Sequence, residues 1–114
     1  MHELSIAMSI VDMAIDEASR RGAERVDAVH MKIGRLSGVV PRALQSSFEL
    51  ACEHTPLEGS ALVIEDVPVS VLCGACGVER EVESIQHMAC SVCGTPSADI
   101  VRGREIVVSA LELS

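Results

Sequence analysis

With 114 residues and 12.1 kDa the chain has room for one domain, or for one domain with a small appendage, and a second large domain is excluded. Hydrophobic residues make up 48% of it, yet there is one Phe and neither Trp nor Tyr, so the core is aliphatic and there is no aromatic platform on which bases or sugars could stack. Nine basic against seventeen acidic residues leave a net charge of −8, which repels phosphate backbones and anionic membrane surfaces and argues against nucleic acid and membrane as partners.

Taken in chain order, Leu4, Ala7, Met8, Val11, Ala14, Ile15 and Ala18 fall at helical spacing, with Ser5, Ser9, Asp12, Asp16 and Ser19 on the opposite face. This predicts a helix from Leu4 to about Arg21, with Glu3 at its positive end, Arg20 and Arg21 at its negative end, and Gly22 free to adopt the left-handed cap. The alternation over 25–33 predicts a strand with Val29, Met31 and Ile33 on one face and Ala28, His30 and Lys32 on the other. GRLSGVV then reads as a loop, and a second helix is expected from Pro41 through Ala43, Leu44, Phe48 and Ala51 to about Glu53. Ala61 to Asp66 and Glu105 to Leu113, rich in Val, Ile and Leu, complete a sheet of about three strands. The expected fold is therefore α+β, a small sheet packed by two helices. Its body comprises 1–67 and 105–114, and an inserted zinc-ribbon-like subdomain with four cysteines spans 68–104. No apolar stretch approaches the ~20 residues that cross a bilayer, and Glu3 stands where a signal peptide carries basic residues, so a cytoplasmic location is expected.

Two copies of C-x2-C-G, CGACG at 73–77 and CSVCG at 90–94, are separated by 13 residues. A two-residue gap lets both sulfurs of a pair reach one ion, and a following glycine permits the positive φ that turns backbone N–H groups toward thiolates. Cys73, Cys76, Cys90 and Cys93 thus offer a tetrahedral four-sulfur set, the geometry zinc prefers. The competing readings are two disulfides or a redox C-x-x-C. An acidic, cytoplasmic-looking chain argues against the first, and two motifs in glycine-rich turns, with no helix start in a larger α/β frame, argue against the second. A closed four-sulfur site has no open position, so it holds structure and performs no chemistry. Between Cys73 and Arg102 there are two basic and four acidic side chains, a poor surface for RNA or DNA.

The opening MHE admits two readings. In one, Glu3 is simply a carboxylate that complements the helix dipole, with His2 an idle terminal residue. Alternatively, the Met1 amine, the amide nitrogen and imidazole of His2 and the amide of Glu3 close adjacent chelate rings, an in-plane nitrogen set that favours Ni(II) or Cu(II) over zinc. Such capture needs an unmodified Met1, which bulky His2 is expected to preserve. An unperturbed terminal amine loses its proton near pH ~7.7–8.0, so capture is expected to weaken as pH falls below neutrality.

MHELSIA at the start, KIGRLSGVVPRAL in the middle and the paired C-x2-C-G knuckles before a final strand together resemble the HypA/HybF family of hydrogenase-maturation nickel metallochaperones, over essentially the whole chain. The resemblance implies nickel at Met1, His2 and Glu3 and a structural zinc at Cys73, Cys76, Cys90 and Cys93. It further implies transfer of nickel to the large subunit of a [NiFe]-hydrogenase, with a nickel-handling GTPase as helper and urease maturation proteins as further partners. Some members have an acidic residue in the loop before the second helix. Here that place is Val40, so the loop can take part through backbone atoms alone.

His87 is read as a solvated loop residue, His54 as a complement to the second helix dipole, His30 as a strand residue and Cys52 as a reduced core thiol. No Ser-His-Asp pattern, phosphate loop or paired catalytic carboxylates support an enzyme. The rival function is a zinc-ribbon adaptor that works by protein contacts and has no nickel site of its own. A monomer or weak homodimer is expected.

Overall fold

Helix α1 (Glu3–Arg20) begins with an acidic residue and ends with a basic one, each placed where the backbone dipole favours it. Gly22, at φ 68°, closes the helix: its N–H reaches the Ser19 carbonyl at 3.2 Å, and the Ala23 N–H reaches that of Ala18 at 2.9 Å. The buried stripe consists of Ala7, Ile10, Val11, Ala14 and Ala18. Leu4 and Met8, expected on the apolar face, are 44% and 54% exposed. With the stripe centred near Ala7, positions 4, 8 and 15 lie roughly 60–100° to one side of it at 3.6 residues per turn, and Ile10 takes the covered place.

The computed structural model describes residues 2–114. Two compact units form: one from residues up to Lys32 with Gly38–Glu65 and Val107–Ser114, the other from Ile33–Ser37 and Asp66–Ile106. In the first, α1 packs on α2 (Pro41–Cys52), which starts with proline at a position needing no N–H and buries Leu44, Phe48 and Cys52 along one face. Phe48, the sole aromatic side chain, is completely covered.

Strands β1 (Val26–Gly34), β2 (Ala61–Val67) and β6 (Ile106–Leu113) form a three-stranded sheet in the order β2-β1-β6. The Ser114 N–H meets the Arg25 carbonyl, and the Gly34 N–H meets that of Glu105, so β1 and β6 run antiparallel. Central β1 buries Val29, Met31 and Ile33 as its alternation predicts, and Ala28 is covered on its other face. The Gln45 side-chain amide donates to the Leu62 carbonyl at 2.8 Å and ties α2 to β2.

The second unit is built on three short strands, β3 (Ser70–Leu72), β4 (Glu79–Glu81) and β5 (Ile100–Arg102), in an antiparallel sheet of order β4-β3-β5. Its core is Val69, Val71 and Val82, flanked by Leu36, Met88 and Ile100. Three-residue strands carry too few alternations to stand out in a sequence, so none was expected there. The architecture is a small α+β fold, two helices on a three-stranded sheet, together with a four-cysteine subdomain that resembles a zinc ribbon.

Ile33–Ser37 belongs to this second unit through backbone contacts made far along the chain. The Leu36 N–H reaches the Gly103 carbonyl at 2.7 Å, the Arg35 N–H that of Val67 at 3.1 Å, and the Arg35 guanidinium pairs with Asp66 at 3.0 Å. Gly34 lies so close to Gly103 that a Cβ on it would stand 2.1 Å from the Gly103 oxygen. Because the obstacle is backbone, no rotamer change relieves it. Gly34→Ala is therefore expected to destabilise the protein at the upper end of the ~1–3 kcal/mol typical of overpacking. Chemical denaturation checks this, and an unchanged midpoint would contradict so tight an approach.

Candidate metal centres

Each unit carries one candidate centre. In the second, the two cysteine knuckles have the same local build. The Cys76 N–H points to Cys73 Sγ at 3.3 Å, and the Cys93 N–H to Cys90 Sγ at 3.4 Å. The Gly77 N–H closes on the Cys73 carbonyl at 2.8 Å, and the Gly94 N–H on that of Cys90 at 2.9 Å, with φ of 72° and 76° at the two glycines. Each knuckle's first cysteine also donates its own N–H five residues ahead, Cys73 to Val78 and Cys90 to Thr95. This is the geometry for which a glycine after C-x2-C is suited, since a side chain there would resist the left-handed conformation.

Folding brings Cys73, Cys76, Cys90 and Cys93 together so that their sulfurs all lie within 4.8 Å of one another. All are free thiols. Cys73 and Cys93 are 3.5 Å apart and Cys76 and Cys90 3.9 Å apart, well beyond a ~2.05 Å disulfide bond. A tetrahedron with ~2.3 Å zinc–sulfur bonds has edges of ~3.8 Å, so the donor set fits zinc in both chemistry and size. The cluster is also electrostatically unsatisfied by itself. The Thr95 hydroxyl, 3.1 Å from Cys93 Sγ, and the Thr95 backbone hold Cys93 down to about 6, whereas the sulfurs of Cys93 and Cys73 push Cys76 up to about 11. Four neighbouring thiolates cannot all be charged without a cation among them. Thr95 has no mark in the sequence beyond its position two places after the last cysteine.

In the first unit, His2 is exposed and occupies the N-cap of α1 without a side-chain cap hydrogen bond. Its imidazole is therefore not committed to the helix start. Its carbonyl accepts the Ile6 N–H at 3.2 Å, which fixes the chain direction there. Glu3 opens the helix, and its carboxylate accepts the Val40 N–H at 3.3 Å. This contact holds the Glu3 carboxyl below its ordinary value. The loop before α2 thus touches the tripeptide through its backbone, the one means left to it by a valine at position 40. Met1 lies outside the described residues.

The remaining histidines have ordinary settings. His87 is exposed and outside the sulfur cluster, its backbone bridged to Ser84. His30 Nε2 lies 2.6 Å from Glu112 on the neighbouring strand. His54 follows α2 in the left-handed region, at φ 63°, and its N–H donates to Glu58 at 2.7 Å, so its backbone serves a turn. Cys52 is a buried thiol, pushed up to about 11 by loss of solvent. Among the described residues, no helix is long and apolar enough to cross a membrane.

Comparison with known proteins places these centres in context. A family model described as hydrogenase/urease nickel incorporation, metallochaperone, hypA, matches residues 1–113. The hydrogenase maturation factor HypA of Chloroflexus aurantiacus is 48% identical over 112 residues, 98% of each chain, and that of Chlorobaculum tepidum is 38% identical over 99% of each. The solution structure of the Ni metallochaperone HypA from Helicobacter pylori superposes with a TM-score of 0.67 at 25% identity, covering 99% of this chain and 97% of that one. A second solution structure of a HypA protein shares the fold, with a TM-score of 0.75 at 24% identity over 100% and 97% of the two chains.

The contact from Glu3 to Val40 has a definite pH signature. Because the carboxyl is held below 4.5, the contact persists at neutral pH and is lost as pH falls through that lowered value. The Val40 amide resonance is expected to titrate with a midpoint below 4.5 and to stop titrating in Glu3→Gln. A midpoint at or above the ordinary value would mean that no such contact forms in solution.

Proposed function

This chain belongs to the HypA family of hydrogenase and urease nickel-incorporation metallochaperones, and from that premise we propose that it binds Ni(II) through Met1, His2 and Glu3 and delivers it to the large subunit of a [NiFe]-hydrogenase. Members of this family are chaperones, not catalysts, so the ion is cargo. A nickel-handling GTPase is the expected helper, with urease maturation proteins as further partners and the cytoplasm as the setting. The observation that carries the reading is the match to the nickel-incorporation family over residues 1–113, which takes in the tripeptide and both knuckles.

Physical chemistry supports the division of labour. The terminal amine, two amide nitrogens and an imidazole suit the square-planar preference of Ni(II), whereas four thiolates suit tetrahedral zinc. An exposed chelate at the start of a helix can be attacked by a receiving protein one donor at a time, which favours moderate affinity and ready transfer. Val40 supplies no carboxylate, so in this reading the nickel shell draws on nitrogen donors of the tripeptide. Cys73, Cys76, Cys90 and Cys93 would hold the zinc, whose contribution is to cross-link two knuckles that share a very small apolar core.

The two centres should respond to opposite lesions. A tag fused before Met1, or His2→Ala, is expected to abolish specific nickel binding and leave zinc content unchanged. Cys73→Ser is expected to lose zinc and hydrogen-exchange protection in the second unit. Nickel titration with metal analysis decides the matter, and a His2→Ala protein that binds nickel as well as the parent would favour the protein-contact adaptor instead.

A further inference from the structure

The two cysteine knuckles share one backbone pattern but differ in a side chain at matching places. In each, the first cysteine's N–H closes on the carbonyl five residues ahead, Cys73 on Val78 at 3.1 Å and Cys90 on Thr95 at 2.9 Å. In each, the sulfur of the first cysteine also accepts the N–H of the second. Val78 and Thr95 therefore occupy equivalent positions, each directly after the left-handed glycine of its knuckle. Valine and threonine are close in shape. What separates them is a hydroxyl.

That hydroxyl is aimed at the metal-binding cluster. Thr95 Oγ1 lies 3.1 Å from Cys93 Sγ, the second sulfur of its knuckle. The residue is held on both sides, its own carbonyl by the Cys90 N–H and the adjoining Pro96 by a bridge to Ala89. Branching at Cβ restricts its side chain further, so the contact is built into the turn. A metal-bound thiolate has no proton to give, and the hydroxyl is then the donor. The counterpart sulfur, Cys76 Sγ, has no backbone N–H or hydroxyl bonded to it among the described residues. Exposure singles out the same sulfur. Cys73 and Cys90 are buried, Cys76 is half-buried and Cys93 alone of the four is exposed. An electrophile arriving from solvent meets Cys93 first.

We propose that the Thr95 hydroxyl restrains the reactivity of the four-sulfur centre at its exposed sulfur, Cys93, which is the place where a soft alkylating electrophile attacks. The inference rests on the zinc reading given above. Thr95 is a positioning residue and not a ligand, since Cys73, Cys76, Cys90 and Cys93 complete the shell. A hydrogen bond donated to a thiolate occupies one of its lone pairs and lowers the charge on sulfur, which makes it a poorer nucleophile. Attack by iodoacetamide forms a bond from Cys93 sulfur to the methylene carbon as the carbon–iodine bond breaks and iodide leaves. The product is a neutral thioether, a weak ligand, so the centre loses its ion with that sulfur.

The test uses the full, untagged, zinc-loaded chain and the variants Thr95→Val, Thr95→Ser and Val78→Thr. Initial alkylation of each cysteine by iodoacetamide is read by peptide mapping, zinc release with a zinc-binding dye, and folding by far-ultraviolet circular dichroism. In the parent, Cys93 is expected to be alkylated first. Thr95→Val keeps the shape and removes the donor, and is expected to speed Cys93 alkylation and the accompanying zinc release by roughly tenfold, with Thr95→Ser close to the parent. Parental rates in Thr95→Val would overturn the proposal. So would first attack at another cysteine, or a Thr95→Ser protein as reactive as Thr95→Val, which points to packing of the methyl group. Should Thr95→Val fail to fold, Val78→Thr decides: a hydroxyl at the equivalent place is expected to slow alkylation of Cys76 severalfold, and an unchanged rate there would overturn the proposal. A parent without zinc, or a Cys73→Ser variant that retains it, would instead remove the zinc reading itself.

Discussion

Four sulfurs within 4.8 Å of one another are the constraint on which the second unit rests. The apolar cluster at its centre has three valines with three partly covered neighbours, and its strands are three residues long. Burial on that scale does not offset the entropy of ordering about forty residues. Apparent zinc-binding energies of ~10–16 kcal/mol are of the right size to close the gap. The glycine turns, the paired N–H···S contacts and the Thr95 hydroxyl serve to aim the sulfurs and to make their charge tolerable.

The first unit solves a different problem. Its core is larger, aliphatic apart from Phe48 and the sulfur-bearing Met31 and Cys52, and it is assembled from two helices against a sheet. What it offers is a helix start at which His2 is exposed. Glu3 is both the first residue of α1 and the acceptor of the Val40 amide, so it is anchored, while His2 beside it is exposed. Helix dipole and the Val40 contact act together on the Glu3 carboxylate.

On the proposed function, two coordination chemistries on one chain would avoid interfering because their donors differ in kind. Soft, clustered, partly buried thiolates would retain a tetrahedral ion, while the nitrogen donors proposed for nickel would suit an ion that must be released.

Much was legible beforehand. The helices and the three long strands follow from apolar periodicity and punctuation, and the four-cysteine centre follows from C-x2-C-G spacing, because these are local rules that act over a few residues. Strands β3, β4 and β5 were not legible, being too short to show a period. Nor were the demand for glycine at position 34, the inward direction of Arg80 or the exposure of Leu4 and Met8. Gly34 looks like any loop glycine until the backbone of Gly103, 69 positions away, is laid against it. Arg80 looks like any residue of the run VEREVES until the register with Val71 turns it to the core. Pattern along the chain determines which elements form and which side chains can bind metal. Which atoms come within reach of one another across long sequence separations is decided by packing, where the steric fit of whole elements outweighs local preference.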